Sequence, residues 1–135
     1  MQRFIEAQEQ YYQQALSEVR AGKKQSHWIW YIFPQLRGLG HSYFAQIYGI
    51  RDREEAEAYL NHEILGKRLR EITSALLVHE YYTAEEIFGG LDAMKVKSCM
   101  TLFDIISPDD IFSEVLGRYY SNTRCELTIG ILSKK

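Results

Sequence analysis

Cysteine is scarce in this chain: Cys99 and Cys125 are its only two. So few thiols, in a chain able to bury a core of its own, argue against a disulfide framework, and both are expected to stay free. Proline is equally rare, with Pro34 and Pro108 both near element boundaries, so the remaining backbone is open to helix. No long hydrophobic run exists. The longest, Trp28 to Phe33, falls far short of the ~20 residues that span a bilayer. Neither charge sign dominates: 16 basic against 18 acidic side chains give a net charge of −2. Such a balance offers no field to draw nucleic acid or an anionic membrane, and no basic recognition helix stands out, so neither partner is expected. The histidines, at 27, 41, 62 and 79, include no pair three or four apart, and neither cysteine has a ligand at zinc spacing; no metal is expected. No phosphate-loop or dinucleotide fingerprint is present, so no cofactor is expected either. The start, Met1-Gln2-Arg3-Phe4-Ile5-Glu6, lacks the pattern of a signal peptide, which points to a cytoplasmic protein, as a monomer or weak dimer.

What is present is helix. The 135 residues are 46% apolar and 25% charged, as in an ordinary globular chain, and a single helical domain over 1–135 is expected. Phe4, Ile5, Tyr12, Ala15, Leu16 and Val19 form one stripe at 3.6-residue spacing, ending near a left-handed Gly22. Ser26 reads as the cap of a short helix, His27 to Phe33, stopped by Pro34, although Trp28 to Phe33 would also suit a buried strand. His41 or Ser42 opens another. Asp52 caps a segment from Arg53 to Leu60, and Asn61 is expected to cap a helix from His62 to His79. Thr83-Ala84-Glu85-Glu86 and Thr123-Arg124-Cys125-Glu126 read as capping boxes. Ser107-Pro108-Asp109-Asp110 supplies a cap and a first-turn proline. The fold class that follows is all-α, a compact multihelical domain of about seven to nine helices, several short.

Three segments hold candidate chemistry. In Ser26-His27-Trp28 through Tyr31 to Gln35, aromatic rings beside an imidazole suit the wall of a site for a ring-bearing ligand. The same residues also suit a buried helix with a hydrogen-bonded histidine. Gln35-Leu36-Arg37-Gly38-Leu39-Gly40-His41-Ser42 could turn amides toward an anion, with Arg37 assisting, or simply make a tight turn. In Lys95 to Asp104, on the Leu91–Ile106 helix, Lys97, Thr101 and Asp104 make a polar stripe at helical spacing that meets either a ligand or solvent. Cys99 with His27 would make a nucleophilic pair, but Cys99 falls on the apolar side. The acidic pairs Glu54-Glu55 and Asp109-Asp110 sit at helix starts, where the helix dipole favours them without catalysis.

Ser26-His27-Trp28, Phe33-Pro34-Gln35, Gly38-Leu39-Gly40 and Ser42, with Ala58 to His62, Leu65-Gly66, Arg68-Leu69 and Lys97 to Phe103, resemble the bacterial domain-of-unknown-function family numbered 1810. The resemblance implies a multihelical single domain with no assigned activity and no catalytic residues to carry over. The calpain-inhibitor (calpastatin) label of some members finds no support here, because such inhibitors are long and disordered. This chain departs from the family at Glu63, where proline is common, and at Cys99, where serine is usual.

The leading expectation is a domain binding a small, polar, ring-containing, nucleotide-like metabolite through Ser26, His27, Trp28, Tyr31, Gln35, Lys97, Ser98 and Thr101. His27, Trp28, Gln35 and one of the α-helical trio 97, 98 and 101 should then border one concavity. The alternatives are a metal-free hydrolase or transferase with His27 as base, and a protein–protein adaptor anchored by exposed aromatics.

Overall fold

The computed structural model describes residues 1–134; Lys135, the last residue of the expected domain, lies outside them. Among the described residues there are nine helices: α1 (Gln2–Ala21), α2 (Ile29–Ile32), α3 (Tyr43–Tyr48), α4 (Arg53–Asn61), α5 (Leu65–Leu76), α6 (Ala84–Phe88), α7 (Gly90–Ile106), α8 (Ile111–Tyr120) and α9 (Glu126–Ser133). No sheet forms among them; Leu36 and Ile50 make one isolated parallel bridge. No helix is long and apolar enough to cross a membrane.

α7 is the axis. Its Ala93, Val96, Cys99, Met100, Leu102 and Phe103 are all buried, so it is apolar nearly all round, as a central helix must be. It packs against α2, α4, α6, α8 and α9. α1 lies along α5 and α2, burying Phe4, Tyr12, Ala15, Leu16 and Val19, the stripe legible in the sequence. An aromatic chain links these layers: Phe4 meets Tyr59 edge-on at 5.0 Å, Tyr59 meets Phe103 at 5.6 Å, and Phe103 meets Phe112 at 5.7 Å. Such pairs add about 0.5–1.5 kcal/mol each beyond their burial.

The helix boundaries follow local chemistry. Gly22 is left-handed (φ 81°) and closes α1, its amide reaching Val19 O. Ser42 and Asp52 cap α3 and α4, accepting from the Ala45 and Glu55 amides. Thr83 and Glu86 form the expected reciprocal box at α6.

Four starts differ from the sequence reading. Ser26 does not cap; α2 begins only at Ile29 after Trp28, because the Ser26 hydroxyl is committed elsewhere. Asn61 ends α4 instead of capping the next helix, and that helix starts at Leu65 rather than His62, with His62 Nδ1 accepting from the Ile64 and Leu65 amides. Asp110, not Ser107, caps α8: its carboxylate accepts from the Ile111 amide at 2.6 Å, from Ser107 Oγ at 2.7 Å and from Arg70 at 2.8 Å. Burial would raise Asp110, but Arg70, Ser107 and the Ile111 amide outweigh it and hold the carboxyl below its ordinary range. At α9, Thr123 turns its hydroxyl back to Tyr120 O, and Cys125 takes the cap position without a side-chain cap bond.

Candidate functional site

Glu18, on α1, decides how the Ser26-His27-Trp28 segment is held. Its carboxylate accepts from the Gln25 amide (2.7 Å), the Ser26 amide (3.0 Å), the Ser26 hydroxyl (2.7 Å) and the Trp28 indole Nε1 (3.0 Å). Gln14 Nε2 donates to both Glu18 (3.1 Å) and Ser26 Oγ (2.6 Å). Burial pushes the Glu18 carboxyl up, but the Gln25, Ser26 and Trp28 donors outweigh it and bring it down to about 2. Ser26 and Trp28 are thus anchors of the turn. With Trp28 fully buried and bonded inward, the residue between them, His27, is thrown outward.

That turn borders a cleft of about 590 Å³ between α1, the α2 segment and α3. α1 contributes Ala7, Gln10 and Tyr11; the α2 segment Ser26, His27, Trp30 and Tyr31; α3 Phe44 and Tyr48. The rings form a continuous lining: Tyr11–Tyr31 at 6.0 Å, Tyr31–Tyr48 at 5.1 Å, Phe44–Tyr48 stacked at 6.2 Å and Trp30–Phe44 at 4.9 Å. Tyr31 is 6% exposed, and burial, followed by the neighbouring phenols of Tyr11 and Tyr48, pushes its hydroxyl up to about 12. The cleft therefore presents aromatic faces with the protonated Tyr31 phenol among them. Lys95 Nζ lies 5.3 Å from the Trp30 ring centroid and 3.4 Å from Asp92.

A buried polar side chain fixes the cleft from behind. Gln8 sits between Phe4 and Tyr12 on the apolar face of α1. Its Nε2 donates to Tyr31 O at 2.7 Å and to Tyr59 Oη at 3.0 Å. This ties α2 to α1 and α4 at the residue that forms the cleft floor.

The eight sequence candidates do not share one concavity. Ser26, His27 and Tyr31 line the cleft; Trp28 faces the interior. Gln35 accepts at its carbonyl from the Ile50 amide (2.9 Å), in the bridge beyond Pro34, and is not part of the lining. Lys97 lies 6.0 Å from the Tyr120 ring on α8. Ser98 and Thr101 face the start of α9: the Ser98 hydroxyl is 3.3 Å from Cys125 Sγ, and Thr101 Oγ1 accepts from the Cys125 amide at 2.9 Å. The reason is rotation about α7. Residues 95 and 97 are two steps apart, about 200° round a helix, so when Lys95 faces Trp30, Lys97 faces away. Nor does the fold make a Cys99–His27 pair: Cys99 is fully buried, its thiol pushed well up by burial, whereas His27 is exposed. The sequence reading passed over Tyr11, Phe44, Tyr48 and Glu18. The one signal available was Gln8, a polar residue interrupting the Phe4–Tyr12 stripe at a position that has to be buried. No group of three or more His, Cys, Asp or Glu able to hold a metal occurs among the described residues.

Residues 1–132 match the family described as "Protein of unknown function (DUF1810)". The chain is also similar to the crystal structure of the conserved hypothetical protein Rv1873 from Mycobacterium tuberculosis. The two are 43% identical over 98% of this chain and 95% of that one, with a TM-score of 0.95. No curated protein matches.

Proposed function

We propose, from the premise that the chain belongs to the DUF1810 family of proteins of unknown function, that it binds a small, polar, ring-containing molecule, nucleotide-like in size, in the cleft between α1, α2 and α3. The observation that carries this reading is the lining itself. Trp30, Tyr31, Phe44, Tyr48 and Tyr11 surround about 590 Å³, with His27 and Ser26 at the edge. Most surface-accessible aromatics on a small domain are scattered singly, whereas a concave cluster mixed with a few polar groups is how ligand sites are built. The phenols and the imidazole supply hydrogen bonds to ring heteroatoms, and the ring faces supply stacking.

Binding is favoured over the hydrolase or transferase reading by one feature. A working base is oriented by a second group, and the His27 ring has no hydrogen-bond partner among the described residues. The test is a thermal-shift and Trp-fluorescence titration with nucleosides, nucleoside monophosphates and other heteroaromatic metabolites. A ligand at 100 times its dissociation constant adds about 2.7 kcal/mol of stability. A binder should quench Trp30 emission, and Trp30→Ala and His27→Ala should each remove the response in a folded protein. No response to any member of the panel at millimolar concentration, or a response unchanged by both substitutions, rejects the reading.

A further inference from the structure

The cleft between α1, α2 and α3 has a definite electrostatic character. Five rings, Tyr11, Trp30, Tyr31, Phe44 and Tyr48, make up most of its lining. Consecutive rings are inclined to one another by 25–59°, so the wall curves round the space instead of lying flat. A ring face carries the negative side of the aromatic quadrupole, and several faces about one space attract a cation better than an anion. Among the described residues, none that lines the cleft is a lysine, arginine, aspartate or glutamate. A phosphate or carboxylate meets no cation there, and a cation is held by ring faces rather than by a salt bridge.

The hydrogen bonds at the rim point the same way. An anion needs donors, and those of Ser26 are committed: its hydroxyl goes to Glu18 at 2.7 Å and its amide to the same carboxylate at 3.0 Å. The Tyr31 hydroxyl lies 3.4 Å from the His27 carbonyl. Glu18, held at about 2, is ionised at neutral pH and stands one hydrogen bond behind the cleft edge. The two lysines that reach the tryptophans are tied to one carboxylate. Lys24, 5.0 Å from the Trp28 centroid, pairs with Asp92 at 2.9 Å, and Lys95, 5.3 Å from that of Trp30, pairs with it at 3.4 Å. Neither belongs to the lining. The Gln10 amide and the Tyr11 and Tyr48 hydroxyls remain, and each can turn an oxygen toward a cation.

We infer that the ligand of this cleft is a heteroaromatic cation: a ring alkylated on nitrogen, its positive charge spread over the aromatic system, and without a phosphate. The inference rests on the cleft being a ligand site and narrows what that site takes. A flat, delocalised cation suits the wall twice over. It stacks on ring faces as a neutral heterocycle does, and its charge adds the attraction to the ring quadrupoles. A neutral ring of the same shape gains only the first. A nucleoside monophosphate gives up phosphate solvation with no lysine or arginine in the lining to replace it.

The experiment compares rings matched in shape and differing in charge, by proton NMR titration of the indole N–H resonances of the full chain. The first pair is nicotinamide methylated on its ring nitrogen, a cation, and meta-toluamide, its neutral isostere. The second is nicotinamide riboside and nicotinamide mononucleotide, which differ by a phosphate. The methylated cation is expected to bind at least about fivefold more tightly than meta-toluamide, and the riboside more tightly than the mononucleotide. The Trp30 signal should move with the ligand, and that of the buried, Glu18-bonded Trp28 should not. Phe44→Leu, at a half-exposed position, keeps apolar bulk and removes one ring face. The ratio within the first pair should then fall at least about twofold, with the neutral member little changed. Equal or tighter binding of meta-toluamide or of the mononucleotide, or a ratio unmoved in Phe44→Leu, overturns the cationic assignment and leaves the cleft a ligand site. Silence from both cations while a neutral heteroaromatic binds does the same. Silence from every ring rejects the cleft as a site, and the inference with it.

Discussion

Glu18 is one carboxylate serving four donors of a single turn, so its loss has a defined pH signature. Its folded value of about 2 lies below the ordinary 4.5. A depressed carboxyl stabilises the fold above its unfolded value, and that stabilisation disappears as pH falls from about 4.5 toward 2. Glu18→Gln should destabilise by ~1–3 kcal/mol at neutral pH, because amide hydrogens would face N–H and O–H donors. The gap between variant and wild type should narrow across that acid window in urea titrations. A gap constant from pH 7 to 2.5 would contradict the assignment. The two tryptophans should also separate cleanly. Trp28 is fully buried and bonded to Glu18, so Trp28→Ala should cost ~3–5 kcal/mol. Trp30, partly exposed in the cleft wall, should cost well under half of that when truncated. Equal losses would mean that the cleft wall is core.

Between elements, the short connections set the geometry. α4 passes to α5 through His62, whose imidazole caps the second helix. Gly66 lies against the carbonyl of Leu60 so closely that a Cβ would strike Leu60 O and approach Leu60 C to 2.8 Å. Both neighbours are backbone and have no rotamer with which to yield. Gly66→Ala should therefore destabilise by at least ~1–3 kcal/mol despite its better helix propensity. Stabilisation on denaturant unfolding would show that α4 and α5 can move apart. At α6, Thr83 accepts from Glu86 N at 3.1 Å while Glu86 Oε1 accepts from Thr83 N at 2.8 Å. Thr83→Ala should cost ~1 kcal/mol, measured the same way.

At the scale of the molecule, the chain of rings Phe4, Tyr59, Phe103 and Phe112 runs through α1, α4, α7 and α8 and gives the helices one shared interior. Phe103 is completely enclosed. Phe103→Ala should cost ~3–5 kcal/mol and lower Tm by on the order of 10 °C in a domain of this size. Near- and far-ultraviolet circular dichroism should still report one coincident transition. Two resolved transitions would show that α1–α4 and α5–α9 unfold separately.

The sequence by itself determined the class of fold and most helices. The α1 stripe, the Gly22 stop, the Ser42 and Asp52 caps and the Thr83–Glu86 box are local signals that act within one turn of backbone, so they survive without tertiary information. Tertiary structure decided where competing local signals lost. Ser26 had a better partner in Glu18 than in its own helix, and Asp110 gained Arg70 from forty residues away, displacing Ser107 as cap. It also decided the cleft. Tyr11, Trp30 and Tyr48 come from three elements, and periodicity places a residue on a face of its own helix without saying which helix that face meets. The roll of α7 is the plainest case: the sequence allowed Lys97 to face the Ser26–Gln35 segment, and the packing of α8 and α9 turned it to Tyr120 and left Lys95 over Trp30. Local sequence fixes the period of a helix; its rotation about its own axis is set by every neighbour that buries a side of it.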